Sequence, residues 1–169
     1  MYYRSIYHSP IGVLTLIASD DSLLGLWMEG QKYHCAGFEN CSLYMDDHPV
    51  LIRAGQWLDV YFSGAKPTAP PFPLCPRGSE FQEKVWRALQ QIPYGQTTTY
   101  GELARVVGCR SAQAVGGAIA HNPISIIIPC HRVLGSNGSL TGYAGGEARK
   151  AWLLEHEGTS LQFRDFAGK

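Results

Sequence analysis

An α+β fold is predicted for this 169-residue chain: a small sheet with one helix, then a mainly helical domain. Three observations predict it. Short segments rich in strand formers fill the first 28 residues. Five prolines crowd residues 67–78. Beyond them the apolar positions recur at helical spacing behind capping residues. The boundaries that follow are 1–66 for the sheet-and-helix domain, 67–78 for a linker, 79–160 for the second domain and 161–169 for a tail.

Tyr3–His8, Val13–Ala18 and Leu23–Met28 read as a β-meander, with turns at Ser9-Pro10-Ile11-Gly12 and Asp20-Asp21-Ser22. Residues 30–47 have no clear period and read as loop. From Pro49 to Phe62, Val50, Leu51, Ala54, Trp57, Leu58, Tyr61 and Phe62 form one helical stripe, stopped by Gly64. Pro67, Pro70, Pro71, Pro73 and Pro76 exclude a regular helix or a central strand. Ser79-x-x-Gln82 then opens a helix carrying Phe81, Val85, Trp86, Leu89 and Ile92. Thr99-x-x-Glu102 opens a second helix that ends at Gly108, and Ser111 caps a third from Ala112 to about Ala120. Two short helices about a glycine turn are a helix-turn-helix candidate, a pattern shared by many helical hairpins. Asn137-Gly138 reads as a hairpin turn beside it, like a wing. A last helix runs from about Glu147 to His156 and closes at Gly158.

The helix from Ala112 is almost bare: Ala112, Ala114, Gly116, Gly117, Ala118 and Ala120. Adjacent glycines cost roughly 1 kcal/mol each in a helix interior. Either the helix packs closely on a core, or it is slim enough for a narrow groove; the DNA minor groove is about 6 Å wide.

Composition is that of a globular protein, 45% hydrophobic and 17% charged, with zero net charge. That gives no general attraction to nucleic acid or membrane. Charge is uneven, however: residues 1–77 carry five basic and seven acidic side chains, residues 78–169 nine and seven. Arg105, Arg110 and Arg132 stand in a stretch from Leu103 to Gly146 that has no acidic residue. Five cysteines without paired spacing point to free thiols and a cytoplasmic protein. No membrane span or signal-peptide core is visible. His34-Cys35 with Cys41 fits no common metal spacing, so no metal is expected.

The chemistry gathers at Pro129-Cys130-His131-Arg132, after the apolar run Ile124–Ile128, which reads as a buried strand. A free cysteine has a pKa of roughly 8.5, so a base or positive charge must activate it near neutrality. Side chains of consecutive strand residues point to opposite faces. His131 therefore serves Cys130 only if the chain turns, or through a water. Glu155 and Glu157 fall at the end of the last helix, where the dipole disfavours negative charge. A carboxylate paired with a histidine would profit there, which makes Cys130, His131 and Glu157 a nucleophile, base and orienter.

Asn122-Pro123 followed by Ile124–Val133, Thr141-Gly142-Tyr143-Ala144-Gly145-Gly146 and Trp152–Gly158 closely resemble the O6-alkylguanine-DNA alkyltransferases. The likeness is strong from Phe81 to Gly158 and general before it. It implies a ribonuclease H-like first domain and a winged helix-turn-helix second domain. It also implies single-turnover transfer of an alkyl group from O6-alkylguanine in duplex DNA to Cys130, by a monomer without cofactor. O4-alkylthymine is a second candidate substrate. By the resemblance, His131 takes the thiol proton through water and Glu157 orients it. Asn122 orders the turn before the active-site segment, and Tyr100 gives a proton to the leaving guanine. Val133, Tyr143, Ala144 and Gly145 wall the alkyl pocket, and Arg110, Ser111, Ala112, Gln113, Gly117 and Arg132 meet DNA. The base must be flipped out first, at a cost of a few kcal/mol.

One position departs from the family. Gln113 stands where relatives commonly carry an arginine that fills the gap left by the flipped base. Two other readings remain: a non-enzymatic module that recognises alkylated DNA, and a cysteine hydrolase using Cys130, His131 and Glu157.

Overall fold

The computed structural model describes residues 1–40 and 43–159, which form two compact units. The first comprises Met1–Arg77 and Pro123–Ile127, the second Gly78–Asn122 with the chain from Ile128 onward.

In the first unit β1 (Tyr3–Ser9), β2 (Gly12–Ala18) and β3 (Leu23–Met28) form an antiparallel sheet in the order β1-β2-β3. Ser9 sets the first turn: its Oγ accepts from Ile11 N–H at 3.2 Å and donates to Gly12 O at 2.6 Å. Gly12 adopts φ 112°, which suits glycine. Helix α1 (Pro49–Phe62) packs on the sheet through Val50, Leu51, Ala54, Leu58 and Tyr61. Its cap is His48, whose ring accepts from Val50 N–H, with Pro49 at the first helical position.

The proline-rich stretch holds no regular helix or named strand, yet it pairs at one point: Leu23 N–H donates to Pro73 O at 2.9 Å and Cys75 N–H to Leu23 O at 2.8 Å. One expectation changes here. Ile124–Ile128 is not a strand. It makes one bridge, Ile124 with Leu26, and then turns, with Ile126 at φ 71°. A β-branched residue in that region is strained by about 1–3 kcal/mol. Bonds from Leu26 N–H to Pro123 O and from Ser125 N–H to Leu26 O hold the turn in place. The run is apolar because every residue in it is buried, and burial alone does not distinguish strand from turn.

The second unit starts at α2 (Glu80–Leu89), where Ser79 and Gln82 make both halves of a capping box. Strand β4 (Thr98–Thr99) leads into α3 (Tyr100–Val106), capped by Thr99. Gly108 at φ 72° turns the chain, and Ser111 caps α4 (Ala112–Ala120). Trp86 of α2 is buried and donates through Nε1 to Ala118 O at 2.9 Å. The wing is reduced to a turn closed by Gly135 N–H on Ser139 O, and its leading strand β5 (Val133–Leu134) pairs parallel with β4. Helix α5 (Glu147–His156) ends the described part of the unit, with Gly158 at φ 82° after Glu157. No helix among the described residues is long and apolar enough to cross a membrane.

Candidate active site and DNA-binding surface

Pro129 breaks the backbone direction, and Cys130–Arg132 make one turn of 3-10 helix. The turn replaces the alternation of a strand, so Cys130, His131 and Arg132 are all buried together. Burial pushes the Cys130 thiol up, and neighbouring Asn122, Lys150 and Tyr143 partly oppose that. The resting sulfur is a protonated thiol, and attack requires a base. Asn122 also donates through Nδ2 to Ile128 O at 2.9 Å, fixing the chain just before the cysteine.

His131 is fully buried, and its Nε2–H donates to Glu157 Oε2 at 2.6 Å. Its Nδ1 has no hydrogen-bond partner among the described residues. The carboxylate therefore selects the tautomer that leaves Nδ1 as an unprotonated acceptor. Burial lowers the His131 pKa against the upward pull of Glu157, which keeps the ring neutral and ready to accept. Burial raises the Glu157 carboxyl, but its bonds to His131 and Arg132 outweigh this and hold it below the usual carboxylate range.

Arg132 donates through Nε to Glu157 Oε1 at 2.8 Å and through Nη1 to Ile92 O at 2.7 Å. It lies over the Tyr94 ring and is only 9% exposed. Expected at the DNA, it is instead committed to the carboxylate that orients His131.

These pairings carry a pH dependence. Glu157, held low, stabilises the fold above about pH 4.5 and loses that contribution as pH falls through its folded value. His131, buried neutral, costs stability as pH falls below about 6.5. Both effects have the same sign. The urea midpoint therefore drops in two stages, below about pH 6.5 through His131 and further below about pH 4.5 through Glu157, and the second stage is missing in Glu157→Gln, which has no carboxylate to titrate.

Sequence reasoning missed Lys150. It lies on the buried stripe of α5 with Leu153 and Leu154, fully enclosed, and its Nζ has no hydrogen-bond partner among the described residues. The ammonium is 5.6 Å from the Tyr100 ring centroid and 5.9 Å from that of Tyr143. Burial lowers its pKa to about 8, opposed by the charges of Cys130 and Glu147. The signal was there to read: a lysine three and four residues before the leucines of one apolar face.

A cavity of about 380 Å³ opens between Tyr100, Ala112, Gln113, Gly116, Thr141 and Gly142. Tyr100 O–H donates to Thr141 O at 3.1 Å, and a side chain at Gly142 would come within 3.0 Å of that hydroxyl. Burial, with a further push from Cys130, moves the Tyr100 pKa up to about 12. Tyr143 is buried, its hydroxyl facing the thiol without a hydrogen bond of standard geometry. Ala144 and Gly145 are half-buried in the same loop, and Val133 is fully buried in β5. None of these last four lines the 380 Å³ cavity.

On α4, Val115, Ala118 and Ile119 face the core, while Ser111, Ala112, Gln113, Ala114 and Gly117 are exposed, as is Arg110 before them. Among the described residues, a methyl group at Gly117 would meet nothing within 4 Å, and at Gly116 only the Tyr100 ring at 3.9 Å. Core packing therefore does not explain the glycines, and the slim face is turned outward. Gly117→Ala accordingly stabilises the protein by about 1 kcal/mol in a denaturant melt.

His34 Nε2 and Cys35 Sγ are 4.0 Å apart, and Cys41 lies outside the described residues. No cluster of three or more potential metal ligands occurs among the described residues.

A thiol beside its own base, in one unit with a helix-turn-helix, defines a class of DNA-directed cysteine acceptors. A family model described as 6-O-methylguanine DNA methyltransferase, DNA binding domain, matches residues 80–159, and its ribonuclease-like domain matches residues 1–75. A methylated-DNA–protein-cysteine methyltransferase of Mycolicibacterium paratuberculosis is 46% identical over 92% of this chain and 91% of its own. One from Methanosarcina acetivorans is 42% identical over 94% and 99%. The Mycobacterium tuberculosis O6-methylguanine methyltransferase structure superposes with TM-score 0.82 at 44% identity, covering 93% of each chain. The Mycobacterium tuberculosis protein in complex with DNA gives 0.78 at 43% identity, covering 92% and 91%. The chain belongs to the 6-O-methylguanine DNA methyltransferase family. It is a DNA-repair enzyme that binds DNA and transfers an alkyl group to a cysteine.

Proposed function

We propose that Cys130 is the acceptor and that the substrate is O6-alkylguanine flipped out of duplex DNA. The observation that carries this reading is the free Nδ1 of His131, buried in the same turn as the thiol while Glu157 holds Nε2. In the reaction, the thiol proton passes through a bridging water to Nδ1. The sulfur forms a bond to the alkyl carbon as the carbon–O6 bond breaks, and Tyr100 protonates the departing guanine. With its pKa near 12, Tyr100 carries its proton at neutral pH. Lys150 counters the charge that develops on sulfur, and Arg132 and Glu157 position His131. A thioether is not hydrolysed, so each molecule acts once.

Residues 79–160 carry the DNA-binding and acceptor functions, and residues 1–66 form a separate domain. On this reading the enzyme acts as a monomer, with Cys130, His131, Glu157 and Tyr100 supplied by the same chain. The four free thiols among the described residues suit a reducing, cytoplasmic setting. Stoichiometry tests the reading. Duplex containing O6-methylguanine is repaired up to one equivalent of protein and no further. Continued turnover would favour a hydrolase, and binding without repair a recognition module.

Gln113, exposed at the lip of the cavity, occupies the gap left by the flipped base without a formal charge. Gln113→Arg therefore tightens duplex binding and steepens its salt dependence by about one phosphate contact. An unchanged slope across a salt titration would contradict this.

A further inference from the structure

We propose that the groove between β1 and α1 in the first unit binds an extended, basic peptide segment of a partner protein as an added strand. β1 is an edge strand of its sheet. Arg4 points its backbone groups away from β2. Its N–H donates to Leu43 O at 3.0 Å, and its carbonyl accepts from Met45 N–H at 3.0 Å. Residues 43–45 thus run parallel to β1, with Tyr44 opposite Arg4. Backbone direction repeats every two residues, so Ile6 and His8 present the same donors and acceptors on the same side. Among the described residues nothing takes them, because the chain leaves the edge at Asp46-Asp47 to start α1. The edge is therefore already used for strand addition at one position and open at the next two.

The open stretch faces a cavity of about 550 Å³. Gly55 of α1 keeps its wall low, since a side chain there would meet only the Tyr7 ring, at 4.0 Å. Tyr44 and Ile52, 50% and 41% exposed, give apolar contacts for alternate side chains of an incoming strand. Asp46 and Asp59 also line the groove, and among the described residues no lysine or arginine does. Asp59 Oδ1 accepts from Tyr7 O–H at 2.6 Å, which anchors that carboxylate at the groove wall. Among the described residues, His8 is the remaining titratable group of the lining besides the tyrosines. Strand addition takes affinity from main-chain hydrogen bonds and specificity from such alternating contacts, and here the charge selects basic side chains. Natural edge strands are commonly blunted by lysine, proline or a bulge, and Ile6–His8 carries none of these.

The test uses the full chain and an acetylated seven-residue peptide alternating valine and lysine. Binding should slow amide exchange at Ile6 and His8 at least tenfold while leaving the β2–β3 amides unchanged. Methylating alternate peptide nitrogens, or replacing the lysines by glutamate, should abolish binding. Asp46→Lys and Gly55→Met should each weaken it about tenfold, while alkyl transfer by both variants stays at the parent level and reports an intact fold. Failure of the peptide to bind overturns the proposal. So does binding indifferent to nitrogen methylation, or protection of Ile6 and His8 in the free protein by self-association.

Discussion

Glu157→Gln slows alkyl transfer by about 10²–10⁴-fold and lowers the unfolding free energy by about 3–5 kcal/mol. The carboxylate holds two partners at once, His131 at 2.6 Å and Arg132 at 2.8 Å, with its side chain fully enclosed. Glutamine keeps the shape and loses the charge. Arg132 is then left as a buried cation with Ile92 O and the Tyr94 face for compensation. The kinetic loss has a separate cause. The glutamine amide can present its N–H₂ to Nε2, which favours the tautomer with the proton on Nδ1 and removes the base. Single-turnover kinetics and a urea melt on one preparation separate the two effects. Transfer within threefold of the parent rate would remove Glu157 from the mechanism, whatever its effect on stability.

Lys150→Met moves activity and stability in opposite directions. An enclosed ammonium with no hydrogen-bond partner among the described residues costs on the order of 1–3 kcal/mol, and methionine has nearly the same length without the charge. The variant is therefore more stable than the parent. Its pH dependence has a definite sign. Lys150 is depressed from 10.5 to about 8, so the cost of burying its charge is full below pH 8 and fades as pH rises toward 10.5. The stability gain from methionine is largest in that lower range and disappears at the upper end. Transfer falls by about 10²-fold near neutrality, because the developing thiolate loses a positive charge that favours it. That deficit shrinks above pH 8, where the parent lysine is itself neutral. A deficit independent of pH would mean that Lys150 acts through packing alone.

Local rules in the sequence reached far into this fold. The three strands of the first unit are marked by segments rich in strand-forming aliphatic and aromatic residues and by a Ser-Pro-Ile-Gly turn whose bonds form as the residue types dictate. Ser79, Thr99 and Ser111 announce three helices, and each accepts the expected backbone N–H. The pairing of His131 with Glu157 was legible because a carboxylate at a helix C-terminus calls for a partner. What escaped depends on long-range placement. Ile124–Ile128 has the composition of a buried strand, yet the backbone bonds of Leu26 to Pro123 and Ser125 turn it. Arg132 could be assigned to DNA from its neighbours in sequence, but Glu157, 25 residues on, claims it. Lys150 was overlooked because a lysine on an apolar stripe is usually taken to reach solvent, and here the surrounding side chains close over it. Residues 161–169, read as a tail, lie outside the described residues.

The central claim is that one buried sulfur receives the alkyl group, and peptide mass after reaction tests it most directly. The protein is incubated with duplex DNA carrying O6-methylguanine, digested and weighed beside Cys130→Ala. The account predicts a gain of one methylene mass on the peptide containing Cys130, in step with the disappearance of O6-methylguanine, and none in the variant. Repair without that gain, or a gain on a peptide containing Cys35, Cys75 or Cys109 instead, would contradict it.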